Sequence, residues 1–342
     1  MKKKLLRKLP LIVCAVLVLS VAAAGTVVLR HAATVKAMSA PAAAEKTQRR
    51  YVYFGSYPQT LVEDRELLGR LGSLELNWQD YGYYSGDGTI GSAAQTPCMY
   101  YADVDYDGET YRAVRIEEYR SYCCHMDRRD NWQSGVLGYS FEKDTVYFFR
   151  FDPIRWLVLS EEENLLLAEP VLDSQPINSL IYSKTPKKGF DSSEFYEDPS
   201  FGTIATDYSA SGIRAWLNST FIDTAFSADE AGLIEPTDLD NSSFSEGSSK
   251  FDAPDTTDRV FLLSYSDVTD PRYGFSARAE KPDGAKVAFS TAYARIQGHW
   301  VHSTGASYWW CRTAKGRTAV GGAALNIAVN YVGTISISYQ TP

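Results

Sequence analysis

A 19-residue apolar run near the N-terminus, residues 11–29, separates a short basic segment from the rest of this chain. Five basic residues come before the run: Lys2, Lys3, Lys4, Arg7 and Lys8. As an α-helix the run spans about 28 Å, close to the hydrocarbon thickness of a bilayer. Basic residues ahead of such a span favour the cytoplasmic side. The sequence therefore predicts a cytoplasmic segment (1–10), a transmembrane anchor (11–29) and a single-pass cell-membrane protein whose remainder lies outside the cell.

A cleaved signal peptide is the alternative interpretation of the same run. The small residues Ala22, Ala23 and Ala24 suit a cleavage site, although the apolar character continues beyond them to Leu29. Cleavage would make the protein secreted instead of anchored. Both interpretations predict export. Residues 30–50, rich in Ala and containing Pro41, are typical of a flexible linker.

The charge beyond residue 50 excludes nucleic acid as a partner. Residues 1–50 hold ten of the 34 Lys and Arg and one of the 42 Asp and Glu, which leaves 24 basic and 41 acidic residues and a net charge of −17. Nucleic-acid affinity comes largely from Lys and Arg that neutralise phosphates. An acidic domain with so few basic clusters would repel such a ligand.

Residues 51–342 have the pattern of one α+β domain with a mixed antiparallel sheet and two or three short helices. Strands are predicted at Tyr51–Pro58, Val146–Phe151, Arg155–Leu159 and Leu165–Ala168, with a hairpin over Cys98–Ile116. A helix is predicted at Ile213–Asn218, and the spacing of Ser227 and Glu230 predicts a capping box that starts another. Ser264 and Asp267 give a weaker start signal of the same kind. The Ser- and Asp-rich segment 238–258 is predicted to be an exposed loop.

Four of the five cysteines lie beyond the apolar run: Cys98, Cys123, Cys124 and Cys311. Disulfides persist outside the cell. A bond from Cys98 to either Cys123 or Cys124 is compatible with the spacing, which would leave Cys311 buried or free. The sequence does not choose among the possible pairings.

Two metal-binding patterns have simpler explanations. Asp103, Asp105, Asp107 and Gly108 resemble the first half of a calcium loop, but the twelfth position is Val114 instead of Glu, and the Asp-Gly pair fits a tight hairpin turn. His299 and His302 precede Cys311 by a few residues, but zinc needs three or four convergent ligands. We expect no metal and no cofactor.

No catalytic residues are predicted. The chain has no Gly-x-Ser-x-Gly nucleophile elbow and no Gly-rich phosphate loop. The most distinctive feature is the aromatic content, with 23 Tyr and 7 Trp. Trp300, Trp309, Trp310 and Arg312 are the candidate ligand-binding residues, because aromatic faces stack on sugars or peptides. Ordinary burial in the core is the competing explanation.

Seven segments together resemble a bacterial family of domains of unknown function, frequent in Gram-positive surface and secreted proteins. The segments are Phe54–Gln59, Pro153–Leu159, Leu172–Pro176, Ile213–Asn218, Ala225–Ser227, Val260–Ser264 and Trp309–Arg312. The resemblance extends from Tyr51 to Ser338 and implies a fold similar to the sulfatase-modifying-factor and C-type-lectin type. Family members end in a stretch reading Gly-Val-Arg-Pro-Ala, which residues 333–342 do not reproduce. The resemblance therefore leaves three alternatives for the closing strand: it is absent, diverged, or lost by truncation.

The expected function is a surface-displayed ligand-binding or interaction module that takes a glycan or protein ligand and has no catalytic activity. One alternative is an oxidase or hydrolase of the sulfatase-modifying-factor type, which would need two reduced and exposed thiols close together. Another is a structural partner of a cell-envelope complex.

Overall fold

The structure is a computed structural model, and it describes residues 49–81, 99–117, 141–175, 177, 207–244, 252–299, 301–317 and 324–339. All of the described residues lie in one compact unit, Gln48–Pro342. No helix within the described ranges is both long enough and apolar enough to cross a membrane. The predicted anchor at 11–29 lies outside those ranges.

The first half of the domain forms a sheet of six antiparallel strands. These are β1 (Tyr51–Leu61), β2 (Gln79–Asp80), β3 (Met99–Tyr106), β4 (Glu109–Ile116), β5 (Val146–Ser160) and β6 (Leu165–Ala168). β5 lies in the middle, with β1 along one side and both β4 and β6 along the other. Helix α1 (Arg65–Leu71) begins at the cap Asp64, whose carboxylate accepts a hydrogen bond from the Leu67 amide.

Three smaller sheets complete the strand structure of the described residues. One joins β7 (Pro170–Val171), β10 (Ala288–Ser290) and β11 (Ala306–Ser307), with β7 and β10 parallel. A second, antiparallel, joins β12 (Trp309–Arg317), β13 (Ala324–Val329) and β14 (Ile335–Tyr339). The third pairs β8 (Thr237–Leu239) with β9 (Thr256–Asp258).

Short helices lie between these strands. They are α2 (Gly212–Trp216), a π-helical turn (Leu217–Phe221), α3 (Ile222–Ala225), α4 (Ala228–Ala231), α5 (Tyr265–Val268) and α6 (Ala292–Ile296), with 3₁₀ turns at Tyr208–Ala210 and Pro271–Tyr273. Both predicted capping boxes, at Ser227 and at Ser264, are present. The fold is therefore mixed α+β with mostly antiparallel sheets, as predicted, but with more short helices than two or three.

The Asp-Gly pair forms the predicted hairpin turn between β3 and β4. Asp107 and Gly108 both have positive φ, 53° and 82°, as a two-residue turn that matches strand twist requires. The neighbouring aspartates pair across the hairpin: Asp105 accepts from Thr110 at 2.7 Å, and Asp103 binds Arg112. These two carboxylates therefore accept hydrogen bonds across the hairpin and join β3 to β4.

Two sequence predictions need correction. The two strands predicted on either side of Pro153 form one strand, β5, because Pro153 lies next to an irregularity in the pairing with β1, where proline is tolerated. Segment 238–258 is only partly an exposed loop, since Asp258 is buried and bound by Arg214 at 2.8 Å.

Candidate functional site

A cavity of about 1510 Å³ opens between the β5–β6 end of the large sheet, the α2–α3 segment and β12. We call it the aromatic cavity, because seven aromatic side chains in particular line it: Phe54, Trp156, Trp216, Phe221, Phe226, Trp309 and Trp310. Each of the seven sequence segments that carry the family resemblance contributes at least one residue to its lining. The segments are far apart in sequence, so the fold gathers them at one place.

Phe54, Trp156 and Phe226 form the inner wall. The indole N–H of Trp156 donates to the carbonyl of Phe54 at 2.7 Å, which joins β5 to β1. Phe226 packs on both, with ring centroids 5.1 Å from Phe54 and 6.3 Å from Trp156. Gly55 permits this approach: its φ is +67°, and a Cβ there would lie 2.5 Å from the Phe226 ring. The Phe-Gly pair at 54–55 is thus a requirement of the wall.

Trp216 and Phe221 extend this wall along the helical segment. Their ring centroids are 5.4 Å apart, and Phe221 also contacts Phe226 at 6.0 Å. Ser211 caps the helix that carries Trp216, accepting from the Arg214 amide at 3.3 Å. The rings therefore form one continuous aromatic surface.

Two indole N–H groups on the cavity lining donate no hydrogen bond within the described part of the chain. Trp216 and Trp310 are half-buried, and neither indole N–H has a hydrogen-bond partner among the described residues. Buried indole groups usually find an acceptor. These two N–H groups are therefore the ones that a ligand in the cavity could engage.

Asp173 lies at one end of the cavity, in the turn after β7. Its Oδ1 accepts from the Ser174 amide at 2.7 Å and from Gln175 Nε2 at 3.0 Å. Its Oδ2 accepts from the Tyr57 hydroxyl at 2.6 Å and from Gln297 Nε2 at 3.4 Å. Burial raises the pKa of this carboxyl, although the bonds from Tyr57 and Gln175 oppose the rise. All four of these donors are uncharged.

A second polar network packs against Tyr57 through the ring of Tyr293. Arg112 binds both oxygens of Asp103, at 2.7 and 2.6 Å, and donates to the Tyr293 hydroxyl at 3.1 Å. Tyr293 also shares a short hydrogen bond with Tyr81. Burial raises the pKa values of Tyr57 and Tyr293, so both phenols stay protonated at neutral pH. The Tyr57 hydroxyl is accordingly a donor to Asp173.

Asp267 and Arg312 lie at another part of the lining and form an ion pair. Arg312 Nη1 donates to Asp267 Oδ2 at 2.9 Å and to the Leu262 carbonyl at 2.8 Å. The same Asp267 oxygen accepts from the Ser264 amide at 2.7 Å, inside the capping box of α5. Only 6% of the Arg312 side chain is exposed. This guanidinium therefore holds α5 against β12.

The structure brings three of the four predicted ligand-binding residues to the cavity. Trp309, Trp310 and Arg312 all line it, and Trp300 lies outside the described residues. Trp309 donates its indole N–H to the Lys286 carbonyl at 2.9 Å. Trp309 and Trp310 are neighbours in β12, so they pack against different core clusters.

The residues that could bind metal or act as nucleophiles are not assembled in the described ranges. No three His, Cys, Asp or Glu side chains there are arranged to hold a metal ion. His299 lines the cavity, whereas His302 stacks on Tyr331 with centroids 4.2 Å apart. Cys311 has a free thiol that is fully buried, and burial raises its pKa. Cys98, Cys123 and Cys124 lie outside the described residues, so their pairing stays a prediction.

Sequence reasoning missed Asp173, Tyr57, Trp156 and Trp216 as site residues. A signal was available, because all four lie in segments that carry the family resemblance. Aromatic residues that are close together in sequence, such as Trp309 and Trp310, are the ones that the sequence indicates as site residues. The other four come together only when strands and helices pack.

The described residues form a mixed α+β domain that contains the aromatic cavity. No metal site and no nucleophile site is assembled among them. Residues 178–340, just under half of the chain, match a sequence family described as Domain of unknown function (DUF6273). The match begins after Asp173 and includes the lining residues from Ile213 onward. Comparisons with curated proteins and with solved structures gave no match.

Proposed function

We propose that this domain is a ligand-binding module that uses the aromatic cavity. The observation that carries the proposal is the cavity itself: aromatic and aliphatic walls with a few placed polar groups are the usual composition of a ligand site. Its volume, about 1510 Å³, exceeds the 300–1,000 Å³ of ordinary small-molecule pockets. An extended ligand, such as a cell-wall glycan fragment or a peptide, fits that size.

The two unused indole donors support binding in preference to packing alone. Trp216 and Trp310 offer an apolar face and an N–H to an incoming acceptor, as interface tryptophans do. In our proposal the ligand accepts from one or both and stacks on the wall made by Phe54, Trp156 and Phe226.

Display outside the cell is part of the proposal. It rests on the basic and apolar N-terminal segments, with the anchor at 11–29 or its cleavage as the two routes. The similarity to sulfatase-modifying-factor and C-type-lectin folds is proposed on the seven segments alone. A binding role of this kind needs neither a metal nor a reactive thiol.

Binding can be tested with the full chain, soluble cell-wall glycan fragments and short peptides, using calorimetry and tryptophan fluorescence. Trp310→Phe and Trp216→Phe keep an aromatic ring and remove the N–H. Each should weaken binding about two- to tenfold, the value of one net hydrogen bond. Trp78→Phe is the matched control, because Trp78 is half-buried under Arg115 and does not line the cavity.

The proposal fails if none of these ligands binds the wild-type chain. It also fails if Trp310→Phe and Trp216→Phe bind as tightly as the Trp78→Phe control. Thermal unfolding of each variant separates a loss of binding from a loss of folding.

A further inference from the structure

Asp173 is half-buried and has no cationic partner among the described residues, whereas the other unpaired carboxylates of the lining, Glu235 and Asp238, are exposed to solvent. Within the described residues, no Lys, Arg or His side chain forms an ion pair or hydrogen bond with it. Asp267 is paired with Arg312, and Glu169 with Arg155 at 2.9 Å. Charged groups withdrawn from water are ordinarily paired. Asp173 therefore leaves a negative charge on the cavity wall that the protein itself does not neutralise.

Arg112 contributes a favourable charge to Asp173 but forms no ion pair with it. Its Nε and Nη2 donate to Asp103 and its Nη1 donates to Tyr293, so it acts on Asp173 only through its charge at a distance. Its guanidinium also lies over the Tyr101 ring at 4.5 Å. Arg112 is thus fixed in its own network.

Aromatic rings continue from Asp173 into the cavity. Tyr57, which donates to Asp173, contacts Phe221 with centroids 5.2 Å apart. Phe221 in turn contacts Trp216 and Phe226. The faces of aromatic rings are negative and attract cations. A carboxylate and a surface of rings at one site both favour a positively charged ligand group.

The hydrogen bonds of Asp173 indicate which kind of cation fits. Both lone-pair directions of Oδ1 are used, by Ser174 and Gln175, and Oδ2 already accepts from Tyr57 and more weakly from Gln297. Few acceptor positions remain for an N–H donor. An ammonium group whose nitrogen carries alkyl groups needs no such position, since it is bound through its charge and through the ring faces.

We propose that the aromatic cavity binds a quaternary ammonium group of its ligand and that Asp173 is the anchor for that charge. This inference rests on the proposed ligand-binding function and names the chemical class of the ligand. Tyr57, Ser174 and Gln175 hold the carboxylate in place, and the rings of Phe221 and Trp216 enclose the cation. The net charge of −17 beyond residue 50 would also attract such a ligand from a distance.

Choline and 3,3-dimethylbutan-1-ol form the test pair, because they share shape and hydroxyl and differ in charge. Calorimetry on the wild-type chain should show choline bound at least about tenfold more tightly than the alcohol. Asp173→Asn should weaken choline binding about tenfold or more and leave the alcohol unaffected. Glu235→Gln is the matched control, because Glu235 is an exposed carboxylate on the same lining and its loss should change neither affinity.

Each outcome decides the inference. Equal affinities of the wild-type chain for choline and the alcohol overturn it, even if Asp173→Asn does not fold. So does choline binding that survives Asp173→Asn. If the alcohol binds and Trp310→Phe weakens it, the ligand-binding proposal stands and only the ammonium inference fails. If neither compound binds, and neither do the glycans and peptides, both proposals fail.

Discussion

Two aspartates line the same cavity and are held in different ways. Asp267 accepts from Arg312 and completes the capping box of α5, so its charge is neutralised inside the protein. Asp173 accepts only from neutral donors, among them Tyr57 and Gln175. A carboxylate that the protein pairs with its own cation stabilises the fold, whereas one left with neutral donors is able to bind a cation from outside.

The family match follows the same division. Asp267 and Arg312 lie inside residues 178–340, and Asp173 lies just before them. The ion pair thus belongs to the part of the chain covered by the family, while the unpaired carboxylate is supplied by the turn after β7. We expect the two sites to respond differently to substitution.

The largest effect is expected from breaking the ion pair. Arg312→Ala leaves Asp267 partly buried without its cation, and Asp267→Asn leaves the Arg312 guanidinium buried without its anion. Removing one partner of a buried pair costs about 3–5 kcal/mol of unfolding free energy. Urea unfolding followed by circular dichroism measures the loss. A cost below about 1 kcal/mol for both variants would mean that the pair does not hold α5 to β12.

Asp173→Asn should have a much smaller effect on stability at neutral pH, within about 1 kcal/mol. The amide keeps an acceptor for the Ser174 amide and removes a charge that burial disfavours, so loss and gain nearly offset. The same urea experiment applies, with Asp267→Asn run beside it. A loss for Asp173→Asn as large as that for Asp267→Asn would erase the distinction between the two aspartates.

The pH dependence of stability gives a finer comparison. The pKa of Asp173 is raised in the folded state, so between its unfolded value near 3.9 and its folded value the native protein binds more protons. The contribution of Asp173 to stability is therefore present in full below that window and is lost as pH rises through it. The unfolding free energy of wild type relative to Asp173→Asn should fall across the window and then level off. A difference that rises with pH would contradict the raised pKa.

The smallest expected signal is the reactivity of Cys311, which lies next to Arg312 in β12. Its thiol is buried and its pKa is raised by burial, so alkylation in the native wild-type chain should be slow. Arg312→Ala should accelerate alkylation and Asp173→Asn should not, as read by peptide mass spectrometry at Cys311. Rapid alkylation in the wild type would also revive the oxidase alternative, which needs an accessible thiol.

Turns, helix starts and strands were largely predictable, because residues that are adjacent or a few positions apart in the sequence determine them. The Asp107–Gly108 turn, both capping boxes and β6 are where the sequence places them. Pro153 misled the strand assignment, because its tolerance in β5 depends on an irregular pairing with β1 that the sequence does not display.

The site was less predictable, because its key pair is not local. Tyr57 and Asp173 are 116 residues apart and meet through the packing of β1 against the turn after β7. Arg312 was predicted to bind ligand together with the neighbouring tryptophans, and only the structure shows that its Nη1 already donates to Asp267 and to the Leu262 carbonyl. Trp309, Trp310 and Trp216 all line the cavity, and Trp216 lies in a segment that carries the family resemblance, but it is far from the other two in sequence.

The most direct measurement is the pKa of the Asp173 carboxyl, with and without choline. Carbon-13 NMR of the full chain with labelled aspartate gives it, and the spectrum of Asp173→Asn assigns the resonance. We predict a pKa above the ordinary aspartate range in the free protein and a clearly lower one when choline is bound, because a nearby cation favours the ionised form. A pKa that is the same at saturating choline would contradict the assignment of Asp173 as the anchor.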